Sequence, residues 1–303
     1  ANQCYATAPT GPVYDNDNDL TISQGSKQGT ALGGGLVTIV AETVNVAGQI
    51  VSNGTGSASG GGILIGDRWG WNDGQCLGRL NYNTGYIAVD NGTFRNVAGA
   101  SAYMGGIGNC RGIAVGVGGM TIENGTAATT WIWDVGANNS TFANNAPLTL
   151  TGAGDGYFGQ PVSGTGVTIT KNGAGTWTIS QANTHTGATT INNGGLVGVT
   201  GGSCTNSAVS LLSSPGNAAA LGISITNNAT RWPCASLTVN NAGTSCTLDF
   251  NFGNVVPSET IAPMTVIGAA AFTTTPLVTV EVGNDVGPAG SQYPLITWAS
   301  TSG

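Results

Sequence analysis

The residues equipped for chemistry are few, and their spacing narrows what they could do. A Ser-His-Asp relay would have to use His185, the single histidine. It sits inside a strand-like phrase, and no Gly-x-Ser-x-Gly turn leads into a helix. A structural histidine is the simpler reading. Asp67, Asp73 and Asp90 are the only clustered acids with aromatic company. A glycosidase would need two of them at a set separation across a groove, whereas Asp67/Arg68 and Asp73/Arg79 read as local salt links in a loop. Lys27 and Lys171 are the only lysines, which leaves a lyase little to use as a base. The expectation is a protein that is not an enzyme.

Binding chemistry has more material. Trp69/Trp71 and Trp131/Trp133 are i, i+2 pairs that face one way in an extended chain. Exposed, such pairs stack on sugar rings; buried, they fill a core. Trp69 and Trp71, with Arg68, Arg79 and Arg111, are the candidate glycan-binding residues, all within an irregular stretch, 66–112, that holds four of the five arginines. Asp15, Asp17 and Asp19 alternate and could wrap an adventitious Ca²⁺. Leu20 and Ser26 stand where an EF-hand loop requires Gly and Glu, so a solvated acidic arm is the first reading and no cofactor is expected. Six cysteines, Cys4, Cys76, Cys110, Cys204, Cys234 and Cys246, include no C-x-x-C pair, and one histidine leaves almost nothing for zinc. All six are disulfide candidates in an exported protein. Cys76 with Cys110 is the favoured pair because both fall in irregular loops, and Cys4 could be a spare thiol or an intermolecular bridge.

These side chains need a scaffold, and composition limits which one. Of 303 residues 51 are Gly, and 7 basic residues face 14 acidic ones, for a net charge of −7. Charged residues make up 7% of the chain, against about a quarter in an ordinary globular domain. No basic surface exists for nucleic acid, and no Lys/Arg-rich amphipathic segment for an anionic membrane. No run of 18 apolar residues is present, so membrane insertion is not expected. Hydrophobic residues at 40% argue against disorder. The surface must therefore be Thr, Ser, Asn and Gly, with little charge repulsion to keep copies apart. The opening Ala-Asn-Gln fits a chain whose leader has been removed.

Period-2 alternation dominates, in phrases such as Leu20-Thr-Ile-Ser-Gln-Gly25, Met120-Thr-Ile-Glu-Asn-Gly125, Leu148-Thr-Leu-Thr-Gly152, Val167-Thr-Ile-Thr-Lys-Asn-Gly173 and Leu237-Thr-Val-Asn-Asn241. Aliphatics line one side, hydroxyls the other, and Asn-Gly or Gly-Gly closes each phrase with the positive φ of tight turns. The phrase recurs too often for seven or eight sandwich strands, at uneven intervals, and no helix is apparent for ordinary crossovers. Coils that differ only in loop length tolerate that unevenness. An all-β parallel β-helix is predicted, with irregular loop insertions and a capping or Pro-rich C-terminal β region; an antiparallel β-sandwich is the alternative.

One stretch is more specific. Gly173-Ala-Gly-Thr-Trp-Thr-Ile-Ser-Gln-Ala-Asn-Thr-His-Thr-Gly-Ala-Thr-Thr-Ile-Asn-Asn-Gly-Gly-Leu-Val-Gly-Val199 resembles the autotransporter-associated β-strand repeat, with Trp177 where Leu is usual and His185 where Tyr is usual. The resemblance covers 27 residues and implies a bacterial, exported, right-handed parallel β-helix of the passenger or cell-surface type, without catalytic residues.

The expected organisation is an N-terminal arm or cap at 1–20, a solenoid at 21–254 interrupted at 66–112, and a C-terminal cap at 255–303, where Pro257, Pro263, Pro276, Pro288 and Pro294 fall. The functional expectation is a secreted structural subunit of a bacterial filament, sheath or surface layer. Such a subunit would have itself as partner and join end to end or by strand addition. The alternative is an adhesin that grips surface glycans through the 66–112 loops.

Overall fold

The computed structural model describes residues 19–22, 37–39, 43–46, 62–65, 86–96, 101–104, 112–133, 140–241, 246–273, 276–282 and 291–302. Among them every strand pairing is parallel and no helix occurs, so the fold is a parallel β-helix and the sandwich alternative fails. The chain divides into two compact units, Ala1–Tyr157 and Phe158–Gly303.

The first unit contains β1 (Asp19–Ile22), β2 (Val37–Ile39), β3 (Thr43–Val46), β4 (Gly62–Ile65), β5 (Tyr86–Val89), β6 (Gly92–Asn96) and β7 (Ala102–Met104). It continues with β8 (Gly112–Val115), β9 (Met120–Asn124), β10 (Thr130–Trp133), β11 (Thr141–Phe142), β12 (Pro147–Gly152) and β13 (Asp155–Phe158), which reaches the boundary. Strands pair with the strand one coil away, in the orders β2-β4-β6-β9-β12, β5-β8-β11 and β7-β10-β13, with β1 on β3. From β5 onward each coil gives one strand to each of three sheets.

Alternation decides which side chains go inside. Phe94, Ile122 and Leu150 share one register column and are buried, while Thr93, Thr121 and Thr149 form the column beside them and stay half-exposed. Burying each such side chain contributes roughly 1.5–3 kcal/mol. Successive coils are 28 residues apart at Arg95/Glu123 and Asn96/Asn124. At the corner, buried Asn96 donates from Nδ2 to Asn124 Oδ1 at 3.1 Å, and Asn124 Nδ2 donates to the carbonyls of Thr129 and Asp155 at 3.1 and 2.7 Å. The next residue in that column is Gly152, at φ 112°, where a Cβ would run into the Asn124 backbone. Only glycine closes this corner without strain.

The second unit contains β14 (Thr168–Lys171), β15 (Thr176–Ile179), β16 (Thr189–Ile191), β17 (Gly194–Val199), β18 (Cys204–Ser213) and β19 (Ala219–Ser224). It ends with β20 (Trp232–Asn241), β21 (Cys246–Asn251), β22 (Met264–Phe272), β23 (Leu277–Glu281) and β24 (Ile296–Ser302). Even-numbered strands stack in one sheet and odd-numbered strands in another, in chain order. The coil is 20 residues long at Asn172/Asn192 and 33 at Asn240/Thr273, so loops absorb the difference while the ladders continue. Beyond residue 255, β22, β23 and β24 continue the same parallel ladders.

Three inward columns make up much of this core: Trp177–Leu196–Leu221–Leu248–Val278, Ile179–Gly198–Ile223–Phe250–Val280 and Cys204–Cys234–Val266–Trp298. Gly198 is required in its column because the indole of Trp232 lies where its Cβ would be. Lys171 also points inward, in register with Ile191, and is fully buried. Its ammonium donates to the carbonyls of Asn172, Gly173 and Asn193 at 2.7, 2.8 and 2.9 Å. Three carbonyls converging on one cation satisfy a charge that burial would otherwise penalise by several kcal/mol.

Candidate functional site

The sequence-derived candidates separate clearly. Trp69, Trp71, Arg68, Arg79, Arg111, Asp15, Asp17, Cys4, Cys76 and Cys110 lie outside the described residues, as do Asp67 and Asp73; Asp19 opens β1, and its side chain is not described. Asp90 is an exposed turn residue whose carboxylate accepts the Gly118 N–H at 2.6 Å. Trp131 and Trp133 are both fully buried, edge to face at 5.4 Å, with Phe94 5.1 Å from Trp133. This second tryptophan pair fills the core and offers no platform to a sugar.

His185 is a core residue. Its Nε2 is 2.9 Å from Thr189 Oγ1, which is 2.9 Å from Ser207 Oγ; the Ser207 hydroxyl donates to the Gly187 carbonyl at 2.7 Å. Burial lowers the imidazole pKa to about 4, against a smaller raising effect from the Val162 backbone, so the ring is neutral. Cys204 lies next to the same Thr189, and burial pushes its thiol up to about 12. A neutral imidazole and a protonated thiol, both without solvent contact, form a buried polar seam between coils in which Nε2, not Nδ1, carries the side-chain hydrogen bond of His185. The expected disulfides are not seen among the described cysteines: Cys204, Cys234 and Cys246 are buried thiols. No group of three or more His, Cys, Asp or Glu able to hold a metal occurs among the described residues. No helix there is long and apolar enough to cross a membrane.

Among the described residues, a surface with unmet bonding capacity lies where the ladders of the second unit end, at β23 and β24. Strands β23 and β24 are the last of their sheets, so each has one edge whose N–H and C=O groups meet no further strand of the described chain. Their side chains continue the core columns, and no described strand covers them. Leu248, Phe250 and Val266 are 1% exposed, whereas their register partners one coil on, Val278, Val280 and Trp298, are 48%, 46% and 45% exposed. Leu277 adds an apolar side chain on the outer face, 58% exposed, and Trp298 leans edge to face on Phe272 at 6.1 Å. Two open main-chain edges beside three core-type side chains form a template for one more parallel β-coil. The alternation in Leu277-Val-Thr-Val-Glu281 was visible in the sequence; that no described strand stacks on it was not.

Glu281, on the same edge, accepts from Asn251 Nδ2 at 2.6 Å. Burial, and secondarily the Glu281 charge, raise the pKa of Asp249.

Comparison with known proteins adds one finding. No curated protein and no solved structure matches the chain. The model of the passenger-associated-transport-repeat family matches residues 169–197, the stretch that runs from β14 into β17. A repeat of that family implies a secreted, cell-surface bacterial protein, and here a short β-helical segment carries that implication.

Proposed function

We propose that this chain is a structural protein of the bacterial exterior whose last described coil, β23 and β24, joins, edge to edge, to a coil of a second copy. The observation that carries the reading is the exposure of Val278, Val280 and Trp298 at positions buried in every preceding coil of their columns. A strand with the same spacing satisfies both the backbone edges that no described strand covers and the side-chain columns beneath them, and another copy of this chain has such strands. The low charge supports the same reading, because association by main-chain pairing needs few ionic contacts and meets little repulsion. A contact of one end with a different end is heterologous, and where its rotation does not close into a ring it propagates into a filament or sheath.

The test is electron microscopy and sedimentation of the wild type beside Val278→Lys/Val280→Lys. Both substitutions fall on exposed side chains, so the fold should persist by circular dichroism. The wild type should form end-to-end assemblies and the variant should remain dispersed. Wild-type protein that stays monomeric at high micromolar concentration, or a variant that assembles as well as the wild type, would overturn the reading.

A further inference from the structure

We propose that Cys204 and Cys234 are a redox pair that closes into a disulfide between successive coils when the protein folds in an oxidising compartment. The two residues are direct register partners on β18 and β20, both inward and both fully buried. Parallel neighbours lie about 4.8 Å apart, inside the Cα range a disulfide spans, though a regular ladder leaves the Cβ atoms slightly too far apart. Here the ladder is not regular. The β18–β20 register shifts immediately after this pair, between Cys204 and Ala208, and the β20–β22 register shifts between Cys234 and Leu237. Both cysteines therefore sit where the strands have slack, next to residues not pinned by in-register partners on both sides. Cys246 is placed differently: it lies on β21 in register with Ala219, and its Sγ is 3.4 Å from the Asn240 carbonyl. The register thus singles out one pair from the three described cysteines.

Oxidation forms the Cys204 Sγ–Cys234 Sγ bond as the two thiols lose two protons and two electrons. The acceptor is an external disulfide, of a dithiol oxidase or of a small molecule such as oxidised glutathione, which leaves as two thiols. In the finished fold burial keeps both thiols protonated and away from solvent. The exchange therefore belongs to the folding step, as β20 is laid on β18, and the closed bond is then sealed from hydrophilic reductants. A bond across one coil lowers the entropy of the unfolded chain and fastens the coil that follows the matched repeat.

The test is performed on the wild-type chain secreted into an oxidising compartment. The protein is unfolded without reductant in excess iodoacetamide, digested and analysed by mass spectrometry. The expected result is a Cys204 peptide joined to a Cys234 peptide, two hydrogens lighter than the separate thiols, with Cys246 alkylated. Reduction under denaturing conditions and refolding with reductant should lower the urea midpoint. The variant Cys204→Ala/Cys234→Ala should have a midpoint that does not respond to reductant. Quantitative alkylation of Cys204 and Cys234, or linkage of either to Cys4, Cys76, Cys110 or Cys246, would overturn the proposal.

Discussion

Acid should loosen this protein through one residue. In the unfolded chain His185 titrates near 6.5; in the fold burial holds it at about 4. Below pH 6.5 the unfolded state binds a proton that the folded state refuses, so the stability His185 contributes is complete above pH 6.5 and is lost as pH falls towards 4. Each tenfold difference in proton affinity is worth about 1.4 kcal/mol, which makes the full effect about 3 kcal/mol. About 2 kcal/mol of it should already be gone at pH 5, where most carboxylates are still ionised. The assay is urea unfolding at pH 7 and pH 5 for the wild type and His185→Gln. Glutamine does not titrate and can still reach Thr189. The wild-type midpoint should fall by roughly half a molar or more relative to the variant over that interval. Parallel pH profiles for the two proteins would show that His185 is protonated in place, and the sealed polar seam would be refuted.

Further predictions test the corners and the surface. Lys171→Met keeps the bulk but leaves three carbonyls without their ammonium; urea unfolding should show a loss of roughly 3 kcal/mol or more. Gly152→Ala forces a left-handed backbone and a collision with Asn124, and should cost about 2 kcal/mol or more by the same measurement. Arg95→Ala, by contrast, removes a half-exposed ion pair with Glu123 at 2.7 Å and should change stability by less than about 1 kcal/mol, shrinking further in salt.

The strands were legible because alternation was the only periodicity on offer. The apolar-Thr-apolar triplets beginning at Leu20, Met120, Leu148, Trp177 and Leu237 all lie in parallel strands, and Asn124-Gly125 and Gly152 turn corners. Uneven spacing pointed to coils of unequal length, and the 20- and 33-residue coils show why it did. Lys171 could have been read as inward, since it alternates with Val167 and Ile169; a charge in a core column is unexpected until the three carbonyls that receive it are seen. Trp131 and Trp133 were ambiguous, because an i, i+2 pair fixes a shared face without saying whether that face is inside. The register of Cys204 on Cys234 and the open end at Val278, Val280 and Trp298 were not legible. Both depend on which coil lies on which, and residue spacing within one strand carries no such information.

Hydrogen exchange followed across protein concentration bears most directly on the join at the last coil. In dilute protein the amides of 277–281 that point away from β21 should exchange quickly, while those of 219–224 and 246–251, already inside the ladder, exchange slowly. As concentration rises and assemblies form, protection should spread to 277–281 and leave the inner strands unchanged. Amides at 277–281 that remain fast in fully assembled protein would contradict the account.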